Sequence, residues 1–423
     1  LLANTDGCKN VATGYSALGA NTTLDDNVAT GCGALGGNTT ADGNTAVGTN
    51  TLKANTTGAS NTAVGKESLL ANTTAGDNTA IGFRSLCSNT TGTYNTALGY
   101  CSLSTNATTN SNVAVGYNAL KVNVASNNTA VGTSALDANT SGTNNVAVGV
   151  SALGANTDGP DNVAVGNSAL ATNTTGDNNV AVGTSTLAAN TTADNNTAVG
   201  FEVLKDNTTG TVNTAMGRQS LQNNTTASGN TAYGHNTLNT VTTSGCNTAV
   251  GGSALFNNTA ANNTALGHSA LVANTSGTSN AALGHLALAA NTTASDNTAV
   301  GREALVVNTT GCMNTGLGQG TLFKNTTGDN NTAVGRHALL CNTTADNNTA
   351  VGTFALCLNT TGTQNSALGH EALASNTEGN YNTAVGRLAL YENTTASNNV
   401  AVGLSALEKN TTCLLYTSPS PRD

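Results

Sequence analysis

A 17-residue unit repeats along almost the whole chain and restricts the fold more than any other feature of the sequence. A glycine closes an N-T-A-V-G-like segment 24 times, from Gly14 to Gly403. Successive glycines are 17 residues apart, except for two intervals of 16 residues that end at Gly132 and Gly267. The consensus is N-T-A-V-G-x-x-A-L-x-x-N-T-T-G-x-x. Such a period indicates stacked units, each of which contacts only its neighbours.

This repeat predicts an all-β fold, a parallel β-solenoid (β-roll) of about 24 stacked 17-residue turns over residues 1–412. The unit is too short for two helices and a turn, and β-branched residues such as Thr45 and Val47 stand in the strand segment. We therefore expect two short strands in each turn. One leucine per turn, from Leu18 to Leu407, predicts the spine of the core. The glycine after the strand predicts a corner with a positive φ or a close backbone approach.

Asparagine occupies two positions of the repeat. It opens the strand segment in all 24 turns, from Asn10 to Asn399, and recurs at the second corner, where Val241 replaces it once. Stacked parallel turns place equivalent amides above one another. The sequence therefore predicts two ladders of side-chain hydrogen bonds that run along the stack.

The third position of the N-T-A-V-G segment is alanine in every turn, as in Ala46 and Ala333, except for Gly316. Side chains alternate along a strand, so this alanine points away from the face that its two neighbours share. A solvent-facing position would vary in size, so we infer that a second surface packs against the alanine. A second copy of the chain in a homotrimer is one such surface, and the narrow interior of a monomeric solenoid is the alternative.

The composition argues against several classes of function. A net charge of −9 leaves no basic surface for phosphate, and 3% aromatic residues offer little for base stacking, so we expect no nucleic-acid partner. No apolar run approaches the roughly 18 residues that span a bilayer, so we expect no membrane insertion. Nine cysteines at irregular positions are not a disulfide framework, although Cys341 and Cys357 fall near each other on successive turns and leave one bridge open.

Residues 413–423, with the sequence CLLYTSPSPRD, leave the 17-residue register. We interpret them as a translated sequencing adapter and exclude them from the fold. An unstructured natural tail is the alternative. Leu1 already occupies the leucine position of a preceding turn and Thr412 is the last residue that fits, so both ends of the repeat region fall inside a repeat.

The residue after the corner glycine is the most variable position of the repeat and carries many large side chains. We interpret it as a line of surface contact, with exposed corners that serve only solubility as the alternative. Its large members are Tyr15, Phe83, Tyr100, Tyr117, Phe201, Arg218, His235, His268, His285, Arg302, Arg336, His370 and Arg387. No Ser-His-Asp, Cys-His or paired-carboxylate arrangement stands out, so we expect neither an enzyme nor a cofactor.

Two metal hypotheses are weaker than the structural interpretations of the same residues. His268 and His285 follow corner glycines on successive turns and could bind a metal, but solvated corners explain them better. Asp77, Asp177 and Asp329 lie near the second corner, but the glycine-rich acidic nonapeptide of calcium-binding β-rolls is missing. We therefore expect no metal.

The N-T-A-V-G segments at residues 44–48 and 331–335 resemble the S-V-A-I-G head repeats of trimeric autotransporter adhesins. The longer unit, such as NTAVGRHALLCNTTADN at 331–347, is similar to the repeats of phage-type and bacterial tail-fibre proteins. The resemblance covers residues 1–412, although the period of 17 residues is longer than that of the adhesin heads. It implies a left-handed parallel β-roll that is trimeric and displayed outside the cell or virion, where it binds host surfaces.

We therefore expect a structural or adhesive fibre segment of a cell-surface adhesin or tail fibre, with a host-cell or environmental surface as its ligand. Many weak contacts along a repetitive rod would give such a fibre its avidity. An ice-binding β-solenoid is an alternative because flat threonine arrays can match ice, but here the threonines pair as adjacent T-T at a corner rather than as T-x-T on a strand. A purely structural surface filament is the third hypothesis.

Overall fold

One three-residue strand in each turn forms the sheet of this computed structural model, which describes residues 3–412. The chain divides after Val212 into two units. The strands of the first unit are β1 Val11–Thr13, β2 Val28–Thr30, β3 Thr45–Val47, β4 Thr62–Val64, β5 Thr79–Ile81, β6 Thr96–Leu98, β7 Val113–Val115, β8 Thr129–Val131, β9 Val146–Val148, β10 Val163–Val165, β11 Val180–Val182 and β12 Thr197–Val199. The strands of the second unit are β13 Thr214–Met216, β14 Thr231–Tyr233, β15 Thr248–Val250, β16 Thr264–Leu266, β17 Ala281–Leu283, β18 Thr298–Val300, β19 Thr315–Leu317, β20 Thr332–Val334, β21 Thr349–Val351, β22 Ser366–Leu368, β23 Thr383–Val385 and β24 Val400–Val402.

Within each unit, every strand pairs in parallel with the strand of the next turn, residue for residue. In the first unit, for example, Thr45 pairs with Thr62 and Val47 with Val64. In the second unit, Thr332 pairs with Thr349 in the same way. The predicted all-β parallel solenoid is therefore confirmed in each unit, and residues 3–412 contain no helix that could cross a membrane. The tail assigned to residues 413–423 lies outside the described residues.

The prediction of two strands per turn is wrong, because the rest of each turn contains left-handed residues that interrupt a strand. Leucines of the core spine have φ between 47° and 54°, and the second corner residue also has a positive φ, as in Asn50 at 54° and Glu67 at 60°. A left-handed residue costs roughly 1–2 kcal/mol, whereas full burial of a leucine contributes about 1.5–3 kcal/mol. Burial of Leu52, which is fully enclosed, therefore offsets the unfavourable backbone that puts it there.

The corner glycine after each strand has the positive φ that the sequence predicts, from 112° to 142° over the stack. It also lies against the glycine of the next turn. A Cβ atom on Gly48 would lie 2.7 Å from the carbonyl carbon of Gly65. Both reasons for glycine therefore hold at this corner, a left-handed backbone and a close approach between turns.

The two predicted asparagine ladders are confirmed, and both are buried. In the first, the backbone N–H of Asn61 donates to Asn44 Oδ1 at 2.9 Å, and Asn61 Oδ1 accepts from the N–H of Asn78 at 3.0 Å. In the second, Asn72 Nδ2 donates to Asn55 Oδ1 at 2.8 Å. Identical side chains thus satisfy one another from turn to turn, which removes the cost of burying an unpaired amide.

A single backbone carbonyl joins the two ladders inside each turn. The carbonyl of Ala75 accepts from Asn61 Nδ2 and from Asn72 Nδ2, both at 2.9 Å. The first asparagine belongs to the neighbouring turn and the second to the same turn as the carbonyl. This shared acceptor closes the second corner and ties it to the strand segment of the adjacent turn.

The two 16-residue turns keep the strand ladder and shorten the second corner, and the second ladder is interrupted only below Asn258, where the preceding turn has Val241. Asn123 Nδ2 donates to the carbonyl of Ala125 at 2.7 Å, two residues ahead, where other turns use a carbonyl three residues ahead. The strand register continues without a shift, since Val113 pairs with Thr129 and the N–H of Asn128 donates to Asn112 Oδ1 at 3.0 Å. The missing residue is therefore absorbed at the corner.

The inference that a second surface packs on the strand alanine is wrong for this chain. Ala46 and Ala333 are fully buried inside the single chain, and a Cβ at the equivalent Gly316 would lie 3.5 Å from Leu305 Cδ1 of the spine. The turn is narrow at this place, so only a methyl group fits. The alternative of a narrow interior is therefore confirmed for the alanine, and the residues on either side of it, such as Thr45 and Val47, face outward.

Gly251 and Gly252 provide a matched test of the corner. Gly251→Ala would place Cβ 2.6 Å from the carbonyl carbon of Gly267 at a φ of 125°, whereas Cβ at Gly252 meets nothing closer than His268 Cδ2 at 3.4 Å. We expect Gly251→Ala to lower the free energy of unfolding by more than about 2 kcal/mol and Gly252→Ala to change it by less than about 1 kcal/mol. Urea denaturation followed by circular dichroism measures both, and equal effects would refute the corner geometry.

Asn61→Ala tests the ladder, because it removes the Oδ1 that accepts from the buried N–H of Asn78 and the Nδ2 that donates to Asn44 Oδ1 and to the carbonyl of Ala75. We expect a loss of about 3 kcal/mol in the free energy of unfolding. Asn167→Ala removes an exposed corner asparagine and serves as the control, with an expected change below about 0.5 kcal/mol. The same urea titration applies, and a ladder variant as stable as the control would contradict the structure.

Candidate functional site

The line of corner residues predicted as a contact surface is exposed at every one of its named positions. They are Tyr15, Phe83, Tyr100, Tyr117, Phe201, Arg218, His235, His268, His285, Arg302, Arg336, His370 and Arg387. The backbone holds the line straight within each unit, since the carbonyl of Tyr100 accepts from the N–H of Asn118 on the next turn at 3.0 Å. Equivalent corners therefore follow one another at the spacing of the strands, about 4.8 Å.

Three consecutive corners of the first unit carry a stack of aromatic rings. The ring centroids of Phe83 and Tyr100 are 5.2 Å apart and those of Tyr100 and Tyr117 are 5.4 Å apart, with interplanar angles of 18° and 14°. Tyr100 is 48% exposed and Tyr117 is 53% exposed. Because both faces of the Tyr100 ring are covered by its neighbours, the stack presents ring edges and hydroxyl groups to solvent.

A groove of about 390 Å³ lies beside this stack, between the corner line and the residues that follow the leucine spine. Its walls are Arg84, Cys87, Ser88, Tyr100, Cys101, Ser104, Thr105, Tyr117, Asn118 and Lys121. The lining therefore combines two cations, six hydroxyl or amide side chains, two thiols and no carboxylate. Its volume is in the range of sites for small ligands, about 300–1,000 Å³.

Hydrogen bonds within the wall fix part of this lining. Thr105 Oγ1 donates to the carbonyl of Lys121 at 2.8 Å, and Cys87 Sγ donates to the carbonyl of Ser104 at 3.4 Å. These bonds use the hydrogens of the hydroxyl and the thiol, and Thr105 Oγ1 also accepts from the backbone N–H of Asn123 at 3.1 Å, so this hydroxyl is held in place by the wall. The charge of neighbouring Cys101 is the main cause that raises the pKa of the Tyr100 phenol, which is therefore a neutral donor at physiological pH.

The two cations of the groove differ in their surroundings. Arg84 Nε lies 3.4 Å from Glu67 Oε2 on the preceding turn, so the guanidinium is engaged in an ion pair. Lys121 has no ion pair among residues 3–412. Asp137 stands on the next turn, where burial raises the pKa of its carboxyl and the charge of Lys121 acts in the opposite direction. Lys121 is therefore the cation of the groove that can serve an anion, while Arg84 is engaged by Glu67.

The two histidines that were considered for a metal, with solvated corners preferred, stack on each other. His268 and His285 have ring centroids 5.7 Å apart, and Ser269 Oγ lies 3.1 Å from His268 Nδ1. Over residues 3–412 the structure brings together no group of three His, Cys, Asp or Glu side chains that could hold a metal ion. Asp177, one of the aspartates considered for calcium, has its pKa raised by burial and by Asp194 and Asp161.

A second, smaller cavity of about 240 Å³ lies in the second unit, lined by Phe354, Cys357, Leu358, Glu371, Ala374, Ser375 and Tyr391. Burial, followed by the nearby Cys341, raises the pKa of the Cys357 thiol to about 11. Both cysteines are free. A thiol with this pKa is protonated at neutral pH and is therefore a poor nucleophile.

The outward face of the strands is the surface that the sequence analysis missed. Its third position is partly or largely exposed and uncharged in all 24 strands. In the second unit it reads Met216, Tyr233, Val250, Leu266, Leu283, Val300, Leu317, Val334, Val351, Leu368, Val385 and Val402. A solvated surface normally carries charges, so the lack of any charge over so many repeats was a signal already present in the sequence.

Comparisons with known proteins do not indicate a function for this chain. No protein-family model matches the chain, and no curated protein matches it either.

Proposed function

We propose that this chain is a segment of a structural and adhesive fibre, part of a cell-surface adhesin or a tail fibre, located on the outside of a cell or virion. The observation that supports the proposal is the contrast between interior and corner. Leucine, alanine and asparagine repeat inside every turn, while the exposed corner changes from turn to turn among aromatic, cationic and small residues. A regular scaffold that displays a variable line of side chains suits recognition by many contacts.

The proposed role is non-enzymatic, because it requires only that side chains be presented at fixed spacing. Its ligand would be a host-cell or environmental surface, and each contact would be weak. Weak contacts at regular intervals add up when a surface repeats its own groups, because each later contact forms at a high effective concentration. A filament with a purely structural role would use the same scaffold without the corner line.

The same proposal includes self-association, as a homotrimer, through the outward strand face. Leu98 is 44% exposed and Leu368 is 50% exposed in the single chain. A face of twelve strands about 4.8 Å apart and about 10 Å wide covers on the order of 600 Å² per copy, so a pair of such faces reaches about 1,200 Å², the lower end of specific interfaces. The third position forms an exposed apolar row along this face in the second unit, and contiguous exposed apolar surface is typical of an interaction site.

Leu98→Lys combined with Leu368→Lys tests this interface. Both side chains are exposed in the single chain, so the variant should fold, but a lysine buried between copies is costly. We expect the wild-type chain to sediment as a trimer and the variant to show a dissociation constant at least about tenfold higher. Tyr15→Lys combined with Phe201→Lys places the same charges on the corner line and should leave the trimer intact. A wild-type monomer at micromolar concentration, measured by analytical ultracentrifugation, would eliminate the interface.

Ice binding is a second candidate, and one observation favours it. The strand face carries threonine at its first position and an apolar residue at its third, both facing outward, as in Thr332 and Val334. This is a flat T-x-V array rather than the corner T-T pair considered from the sequence. Stacked turns repeat this array at about 4.8 Å along the sheet. The threonine hydroxyl groups and the apolar side chains therefore form two parallel rows.

Thermal hysteresis of the purified chain separates this candidate from the fibre. If the strand face binds ice, a gap appears between the melting and freezing temperatures, and Thr298→Leu, Thr315→Leu and Thr332→Leu together reduce it by at least about half, because they remove adjacent hydroxyls from the array. Replacing exposed corner residues, as in Arg302→Gln and Arg336→Gln, should not change it. Absence of hysteresis in the wild-type chain removes the ice-binding candidate and leaves the fibre.

A further inference from the structure

The groove beside the aromatic stack differs in charge from the chain as a whole. The sequence has a net charge of −9, with 22 acidic and 13 basic residues. The groove nevertheless places Arg84 and Lys121 in its walls with no carboxylate among its lining residues. Because a cation at such a site attracts an anion through charge-assisted hydrogen bonds, the lining indicates a ligand with at least one negative group.

The spacing of the two cations limits the size of that ligand. Arg84 is the second corner residue of one turn, and Lys121 follows the leucine spine two turns later. Two turns correspond to about 10 Å along the sheet. A ligand that meets both cations is therefore small and compact, and the volume of about 390 Å³ agrees with this.

The neutral part of the lining identifies the class of ligand. Tyr100 and Tyr117 offer hydroxyl groups and ring edges, and Asn118 offers an amide that both donates and accepts. A ligand that satisfies such a lining has several hydroxyl groups and some apolar C–H surface in addition to its charge. Nucleotide bases fit less well, because both faces of the Tyr100 ring are already covered and two cations cannot neutralise a polyphosphate chain.

We propose that this groove binds an acidic sugar, a uronic acid or a short saccharide that contains one. Lys121 holds the carboxylate, and Arg84 and the hydroxyl groups of Tyr100 and Tyr117 bind sugar hydroxyls. The inference rests on the proposed adhesive function and names the ligand class at one point of the corner line.

Isothermal titration of the full chain with glucuronate, glucose and inorganic sulfate tests the proposal. We expect glucuronate to bind with a dissociation constant on the order of 1 mM, which corresponds to a few good contacts, and glucose to bind at least about tenfold more weakly. Sulfate, which has the charge but not the hydroxyls, should also bind at least about tenfold more weakly. Sulfate that binds as tightly as glucuronate would overturn the assignment to a sugar.

Variants connect the binding to the groove. Lys121→Met and Arg84→Gln should each weaken glucuronate binding at least about tenfold, Lys121→Arg should retain it, and Tyr100→Phe should weaken it severalfold. Arg387→Gln removes an exposed cation of the corner line in the second unit and should have no effect. Circular dichroism confirms that each variant is folded, and unchanged affinity in Lys121→Met and Arg84→Gln would place the binding elsewhere.

An adhesion measurement distinguishes failure of this inference from failure of the proposed function. The wild-type chain and the Lys121→Met variant are compared on cell surfaces or particles with and without uronate. If the chain adheres but neither uronate nor Lys121 changes adhesion, only the acidic-sugar inference is lost. If glucuronate binds in solution but the chain adheres to no surface, the adhesive function is lost and the groove remains a sugar site.

Discussion

The turns of this protein are held in register by backbone carbonyls that accept hydrogen bonds from two buried asparagines at once. The carbonyl of Ala75 receives Asn61 of the preceding turn and Asn72 of its own turn. Each asparagine in turn bonds to its equivalent one turn away. A shift of one residue would break both ladders, so the polar interior specifies the register that three-residue strands alone are too short to define.

The polar interior also compensates for the small size of the apolar core. Each turn encloses one leucine and a few alanine-sized side chains, which contribute little burial for the residues they order. The buried amides contribute because every one of their partners lies at a fixed distance in the stack. Stability therefore depends on repetition, since a turn without neighbours would leave the amides unpaired.

The period, the parallel pairing, the leucine spine, the glycine corner and the asparagine ladders could all be predicted from the sequence, because each is a single residue type at a fixed position in the repeat. The alanine was placed against a partner because constant small size is equally typical of an interface and of a narrow interior. Only the backbone shows that Ala46 points inward and that Val47 faces out. The second strand was predicted from β propensity, which does not show that Leu52 adopts a left-handed backbone.

The exposed corner positions of the candidate site could also be predicted, but the groove could not. It depends on side chains from different positions of the repeat, such as Tyr100 and Lys121, that meet only because two turns stack. Position in the repeat therefore tells which residues are exposed, and the identity of residues on adjacent turns tells what they form together. A site of this kind arises from a few neighbouring turns and leaves the scaffold unchanged.

The shortened corners at Ala125 and Ala260 bear on how such a gene can change length. Asn123 and Asn258 reach a carbonyl one residue closer than usual, and the ladders beyond them continue in phase. A one-residue deletion at this corner changes only the turn in which it occurs, and the register of the following turns is unchanged. Unequal recombination between repeats can therefore add or remove whole turns. A one-residue error at the crossover point leaves the asparagine ladders and the strand register of the following turns intact.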